Sequence, residues 1–386
     1  MKIGIVTYTH CYNQGADLQA YALTHVLKEM GHDAEIIWFD RVPVGKLQHR
    51  EIVKRALLGR LRHNPLKGAF DLVFLAAKML SSHKRKDALA GTRDGRVRAY
   101  DDFWDQMIPH SEKVKVGDLG NLSYDCYVAG SDQIWNWRLT GDVSPYFLLF
   151  APPGSRRISY AASVSVERID SEFENLYKMG LANLHAISVR ETMGAAVLKH
   201  LTDKSIEVVL DPTLLLRQCD WQKIESDGID FPSPYIFSYT LNSSKAYLRL
   251  MLRYARQRGL RILNVSPVPS LVRDPLITDV CNAGPREFLY LLSRATCVFT
   301  NSFHGTAFAI NYHRPFFSVL NPYSPTNSRI KSISELLSLQ NRVFMDDTAS
   351  VRDLNEVSDV DYAVVDSRLD ALRKSSTEFL RNALNG

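Results

Sequence analysis

Short apolar runs alternate with helix-period segments along almost the whole chain, and this alternation restricts the fold more than any other feature. Met1-Lys-Ile-Gly-Ile-Val-Thr-Tyr8 reads as a buried strand that starts at once. A periodic run from Asp17 to Met30 follows, with Leu18, Tyr21, Ala22, Leu23, Val26 and Leu27 on one face, and Gly31 stops it. Residues 34–39 form a second strand, which completes a strand–helix–strand unit of a parallel sheet. The pattern returns with strands at 124–130, 157–163, 186–189 and 206–210 and helices at 171–183 and 192–201. A polar stretch at 220–234 then interrupts it as a linker would. Behind it come strands at 235–240, 261–265, 297–300 and 316–320, and helices at 245–257, 286–293, 305–312 and 329–339. The sequence therefore predicts an α/β fold of two Rossmann-like domains facing across a cleft. The N-terminal domain covers 1–219 with a basic helical insertion at about 41–113, the C-terminal domain covers 235–365, and a helix over 366–386 closes the chain.

A chain of 386 residues, 45% apolar and 23% charged, has the material for two such cores and lies outside the disordered and collagen-like classes. Cys11, Cys126, Cys219, Cys281 and Cys297 make no C-x-x-C pair, which argues against a disulfide framework or zinc ribbon and for a reduced setting. No charged-then-apolar leader precedes the first strand, and the longest apolar stretch, 69–80, carries Asp71 and Lys78. It also falls short of the roughly 20 residues that span a bilayer. The expected location is cytoplasmic. The net charge of +5 is unevenly spread, because residues 41–98 hold fifteen Lys or Arg against four Asp or Glu. That excess suits an anionic partner, such as the inner face of a membrane, a polyphosphate or an acidic glycan, and equally suits a solvated helical insertion. Nucleic acid is not expected, since neither a recognised fold motif nor stacking-type aromatic interleaving accompanies the charge. No P-loop, dinucleotide-binding glycine motif, H-E-x-x-H or G-x-S-x-G is present, and the eleven histidines show no metal spacing.

The carboxyl ends of parallel strands share one rim, where such folds bind ligands. Four polar clusters fall there: Asn13-Gln-Gly-Ala-Asp-Leu-Gln19, Gly130-Ser-Asp-Gln-Ile-Trp-Asn136, Ser188-Val-Arg-Glu191 and Thr300-Asn-Ser-Phe-His-Gly-Thr306. The first, third and fourth lead into helices whose N–H groups favour an anion. Plain structural roles suit several members: Asn13, Asp17 and Ser302 as helix caps, Gly15 and Gly130 in turns, Trp135 in a core, Arg190 and Glu191 as an ion pair. His304 stands apart. A titratable ring at a helix start, beside a glycine that permits close approach, suits proton transfer to a bound ligand.

Six motifs in sequence carry a resemblance. Ile3-Gly-Ile-Val-Thr-Tyr8 with Tyr12-Asn-Gln-Gly-Ala-Asp-Leu-Gln-Ala-Tyr-Ala-Leu23, Val128-Ala-Gly-Ser-Asp-Gln-Ile-Trp-Asn136, Ile158-Ser-Tyr-Ala-Ala-Ser163, Ile187-Ser-Val-Arg-Glu191, Val209-Leu-Asp-Pro-Thr213 and Thr300-Asn-Ser-Phe-His-Gly305 resemble the polysaccharide pyruvyl transferase family, from residue 1 to about 340. The resemblance implies a two-domain fold like that of type B glycosyltransferases. It further implies transfer of pyruvate from phosphoenolpyruvate to a sugar of a cell-surface polysaccharide precursor, giving a cyclic ketal and inorganic phosphate, with no metal or redox cofactor.

Phosphoenolpyruvate brings a carboxylate and a phosphate, so the implied site needs cations and helix N-termini. Arg190, Arg329 and Lys331 are the candidate cations, and Asn13, Gly15, Gln19, Ser131 and Ser302 the further candidate binding residues. His304 is the candidate acid for the methylene carbon, and Asp132 or Glu191 the candidate base or orienter. Some members of the family carry an arginine two positions before the histidine, where this chain has Ser302. The donor grip then passes to Arg329, Lys331 or Arg190, or the donor differs. The expected acceptor is a saccharide, lipid-linked or nucleotide-linked, contacted through residues 41–98. The rival reading is a type B glycosyltransferase with a nucleotide-sugar donor, which shares the architecture.

Overall fold

The computed structural model describes residues 1–8, 10–40, 90–232, 234–241, 243–324 and 326–386. Its first sheet is parallel throughout and runs β2 (Asp33–Ile36), β1 (Lys2–Val6), β3 (Cys126–Ala129), β4 (Arg156–Ser159). Parallel bridges Ile158–Ala186 and Ala162–Val189 attach the pair β5 (Ile187–Val189) and β6 (Ile206–Val208) to the β4 edge. The second sheet, also parallel, runs β12 (Val343–Met345), β11 (Phe316–Leu320), β10 (Cys297–Thr300), β7 (Tyr235–Tyr239), β8 (Arg261–Val265), β9 (Ile277–Val280). The strands β3, β7, β10 and β11 are buried at every position, as their mainly apolar runs require when helices cover both faces. Winding reverses once in each sheet, between β1 and β3 and between β7 and β10, and the loops leaving these strands flank the ligand crevice of such folds.

Several elements depart from the sequence reading. The second strand ends at Ile36 rather than at residue 39, and beyond it the chain is bridged to the 110–114 segment through Ile36–His110 and Phe39–Val114. The strands β9 and β12 had no counterpart in that reading: both lie at sheet edges and are largely half-buried, so neither carries a strong apolar run. The last helix starts at Tyr362, four residues before the expected 366, because the Asp361 carboxylate accepts from Ala363 N and Val364 N. Of the expected basic insertion, the helix Ala90–Met107 buries Tyr100, Phe103 and Trp104. The membrane or acceptor contact expected through 41–98 falls mainly on 41–89, outside the described residues. Among the described residues no helix is long and apolar enough to cross a membrane.

The two lobes share one core. The turn Pro212–Leu215 is wedged between the helix Gln14–Glu29 of the first lobe and the helix Phe303–Asn311 of the second, and a single apolar cluster runs through Leu18, Leu214, Trp221, Phe288, Phe308 and Leu380. Asn311 Nδ2 donates to the carbonyls of Thr213 (3.1 Å) and Leu216 (2.9 Å), closing the seam with hydrogen bonds. The helix Tyr362–Asn385 then returns across it: Ser376 Oγ accepts from Leu210 N at 3.0 Å, Arg373 Nε donates to Leu214 O at 2.8 Å, and Arg156 Nε donates to Ala383 O. Leu380 is fully buried in this joint, so Leu380→Ala is expected to cost about 2–5 kcal/mol. A lowered urea midpoint with unchanged helix content by circular dichroism would register it; an unchanged midpoint would mean the returning helix does not brace the lobes.

Candidate active site at the lobe seam

Asp211 organises the site. It follows β6 and caps the short helix Pro212–Leu215, its Oδ1 accepting from Thr213 N (3.0 Å) and Thr213 Oγ1 (2.6 Å). The other oxygen, Oδ2, accepts from Ser131 Oγ and Arg190 Nη1, each at 2.7 Å, and lies 3.7 Å from His304 Nε2. Burial pushes this carboxyl up, but the neighbouring His304 and Arg190 and the Thr213 hydrogen bond more than reverse that, holding it well below the usual carboxylate range. Arg190, at the exit of β5, is equally buried. Its Nη2 sits 3.5 Å from Asp132 Oδ1, its Nε 4.0 Å from Glu191 Oε2, and its guanidinium lies 4.5 Å over the Phe303 ring of the other lobe. Burial works against its charge, yet Asp211, Asp132 and Glu191 together raise its pKa above the ordinary value.

His304 enters from the second lobe in the first turn of the helix Phe303–Asn311 and packs on Gly15 of the first. A Cβ on Gly15 would fall 1.9 Å from His304 Nδ1, so only glycine leaves room for the ring. Arg329, on the helix Asn327–Leu336, is 5% exposed and has no hydrogen bond or ion pair among the described residues. Burial and the nearby Arg190 push its guanidinium down to about 10, against the pull of Asp132, Glu191 and Asp211. Asp132 sits in the left-handed region at φ +72°, with Gln133 N donating to its Oδ1 at 2.8 Å.

The other expected binding residues divide. Ser131 joins the cluster through Asp211. Asn13 and Ser302 spend their side-chain oxygens as caps, on Ala16 N (3.2 Å) and Gly305 N (3.5 Å). The Gln19 amide nitrogen ties the loop after β1 through Thr7 Oγ1 (2.9 Å) and Tyr8 O (3.2 Å). Glu191 directs Oε1 at Ser163 Oγ, Val164 N and Ser165 N, at 2.9–3.1 Å, so it holds the loop after β4 in place. Lys331 is a correction: it is exposed, because two residues beyond Arg329 on a helix is about 200° round its axis. Asp211 was not singled out from the sequence, although an Asp-Pro-Thr turn directly behind a predicted strand marks the same rim. Among the described residues no group of His, Cys, Asp or Glu side chains is placed to hold a metal ion. A cavity of about 480 Å³ opens between the lobes, lined by Arg138, Glu167, Arg168, Tyr323 and Ser324 and by none of the clustered residues.

The family model for polysaccharide pyruvyl transferase matches residues 13–323. No curated protein sequence matches the chain. Among solved structures, UDP-GlcNAc 2-epimerase from Methanocaldococcus jannaschii is similar with a TM-score of 0.50 at 11% identity, covering 100% of both chains. S. aureus MnaA, in a structure with UDP, gives 0.50 at 9% identity over 98% of this chain and 91% of that one. Spinosyn rhamnosyltransferase SpnG gives 0.43 at 10% identity over 100% of both. The first two likenesses concern the fold alone, two Rossmann-like lobes.

Asp211 also sets a pH dependence. A carboxyl depressed in the folded state contributes stability that is fully present above its unfolded value, near 4, and is lost as pH falls toward the folded value. Asp211→Asn is expected to cost about 3–5 kcal/mol at neutral pH by stranding Arg190, with the gap to the wild type narrowing below pH 4. Thermal melts of both proteins from neutral to acid pH check this; a gap constant with pH would show that the charge of Asp211 carries none of the effect.

Proposed function

The chain belongs to the polysaccharide pyruvyl transferase family and is a transferase, and from that premise we propose that it moves the pyruvyl group of phosphoenolpyruvate onto two hydroxyls of a saccharide that is a precursor of a cell-surface polysaccharide. One observation carries the reading. Five buried polar atoms at the seam, Arg190 Nε and Nη2, Arg329 Nε, Glu191 Oε2 and His304 Nε2, have no hydrogen-bond partner among the described residues. Buried groups of this kind are rarely left unsatisfied in a native protein, at about 1–3 kcal/mol each and more when charged. Three of the five are guanidinium nitrogens, which suits a ligand with a carboxylate and a phosphate.

The residues divide the chemistry as follows. Arg329, which no carboxylate pairs among the described residues, grips the donor, and Arg190, held by Asp211, Asp132 and Glu191, adds its charge beside it. His304 delivers a proton to the methylene carbon, which becomes the methyl group. The carbon that bore the phosphate gains bonds to two saccharide oxygens and loses its bond to the phosphate oxygen; of the two hydroxyl protons, one replaces the proton that His304 gives and the other leaves with the phosphate. Asp132, the most accessible of the three carboxylates, accepts from the attacking hydroxyl. Glu191 holds the loop after β4, and Asp211 holds Arg190, where the reaction needs them.

Incubation with phosphoenolpyruvate and a panel of saccharides should release phosphate and add the mass of a pyruvyl ketal to the sugar. Calorimetric binding of a nucleotide sugar without binding of phosphoenolpyruvate would favour the glycosyltransferase instead. Two substitutions separate the roles. Arg329→Met is expected to weaken phosphoenolpyruvate binding about 10–100-fold while leaving Tm equal to or above the wild type, because an unpaired buried charge is lost. His304→Asn is expected to reduce kcat about 10²–10⁴-fold with little change in donor Kd. If both variants only melt earlier and bind as before, the two residues are structural.

A further inference from the structure

The helix Lys245–Arg258 of the second lobe carries five Lys or Arg and no Asp or Glu. Tyr247, Leu248, Met251, Leu252 and Ala255 pack its inner side into the lobe, while Lys245, Arg249, Arg253 and Arg256 are exposed. On an α-helix these four positions fall within about 80° of arc, along roughly 16 Å of axis. Arg256 pairs with Asp274, whereas Lys245, Arg249 and Arg253 have neither a hydrogen bond nor an ion pair among the described residues. Two carboxylates beside the helix are already spent. Asp346 accepts from the Ser244 cap at 2.5 Å, and Glu356, on the helix Val351–Glu356 packed against this one, accepts from Arg352 at 2.6 Å. Like charges four positions apart repel, so the stripe works against the helix that carries it and is explained by a partner outside the chain.

Apolar side chains stand beside this stripe. Leu241, just ahead of the Ser244 cap, is 48% exposed. Val268 and Leu271, 62% and 58% exposed, belong to the segment 266–276 that joins β8 to β9, and Asp274 of the same segment ties it to Arg256 of the helix. Because β7 and β8 are paired neighbours, the loop carrying Leu241 and the loop carrying Val268 leave one rim about 5 Å apart. Single exposed aliphatic side chains are ordinary on a globular surface. Three of them beside an uncompensated cationic stripe match an anionic bilayer, where the cations meet lipid phosphates and the aliphatic groups enter the boundary of the acyl chains. Nucleic acid would use the cations alone, since its bases stack on aromatic rings and Tyr247 and Tyr254 of this helix are buried.

We propose that the helix Lys245–Arg258, with Leu241, Val268 and Leu271 beside it, docks the protein on the surface of an anionic lipid bilayer. The inference concerns where the protein is held and is independent of the group it transfers. Co-sedimentation of the full chain with vesicles of phosphatidylglycerol and phosphatidylcholine should show binding that pure phosphatidylcholine vesicles lack, and added salt should weaken it. Lys245→Gln, Arg249→Gln and Arg253→Gln combined should lower the affinity at least about tenfold, since each cation at such a surface contributes roughly fivefold. Val268→Ser with Leu271→Ser should lower it at least about fivefold by removing the inserted apolar groups. Lys199→Gln, Lys374→Gln and Arg381→Gln, which remove the same charge from exposed positions elsewhere, should leave it within about twofold of the wild type. Should the stripe variant fail to fold, Arg249→Gln alone decides, with a loss of about fivefold expected. The proposal is overturned if the wild type binds both kinds of vesicle alike or neither, if the stripe variant or the serine pair binds as the wild type does, or if the control set loses as much as the stripe set. It is equally overturned if the stripe residues prove to hold an RNA oligonucleotide more tightly than they hold the vesicles.

Discussion

A fully buried carboxylate at the seam of two lobes is the constraint on which the rest of this structure depends. Asp211 has lost its water and must recover every hydrogen bond from protein, and it does so from Ser131, Arg190 and Thr213, with His304 alongside. Those residues come from the loop after β3, the end of β5, the turn after β6 and the first turn of a second-lobe helix. The carboxylate is therefore hydrogen-bonded within the first lobe, and docking of the second lobe brings His304 beside it, so the residue that orders the first-lobe rim also marks where the lobes bring their chemical groups together.

The two arginines at this seam differ in a way that residue type alone conceals. Arg190 is surrounded by Asp211, Asp132 and Glu191, and its charge is settled within the protein. Arg329 is buried nearby with no such partner, which is costly unless something anionic arrives. Counted as bare charges, two arginines face three carboxylates, but the count misleads. Asp211 is spent on Ser131, Thr213 and Arg190, and Glu191 places one oxygen on two backbone N–H groups and a hydroxyl. Asp132 has the least of its capacity consumed, with a single backbone N–H at its carboxylate and Arg190 at 3.5 Å, so it is the carboxylate best able to act on a substrate.

The sequence revealed the two alternating halves because buried parallel strands are written as mainly apolar runs, and β3, β7, β10, β11 and all of β1 but Lys2 are of that kind. It concealed β9 and β12, whose half-buried edges carry little periodic signal. At the site, His304, Arg190 and Asp132 were legible as polar residues at strand exits. Asp211 was not, because its importance comes from partners 80, 21 and 93 positions away in sequence, at Ser131, Arg190 and His304. The distinction between Arg329 and Lys331 was likewise beyond local reading, since it depends on which side of one helix meets the first lobe. The caps at Asn13 and Ser302 show the opposite case, in which a local role was readable and the side-chain oxygen is committed to it.

Part of the backbone strain lies where the cluster is built. Asp132, Ala161 and Ser165 all occupy the left-handed region, at φ of +72°, +54° and +50°, and all lie in loops that leave β3 or β4. Each such residue costs on the order of 1 kcal/mol or more, and none is glycine. The conformations persist because they are tied from both sides: Ser163 N donates to Asp132 O at 2.8 Å, and Glu191 Oε1 gathers Ser163, Val164 and Ser165. An all-glycine version of these loops would relieve the strain and lose the tether, because a freer backbone would not hold Asp132 beside Arg190. The shared apolar core beneath, from Leu18 through Leu214 to Phe308, makes the lobes one mechanical unit on which this strain can be held. The contact of His304 with Gly15 is then a fixed feature of the packed seam, present before any ligand arrives.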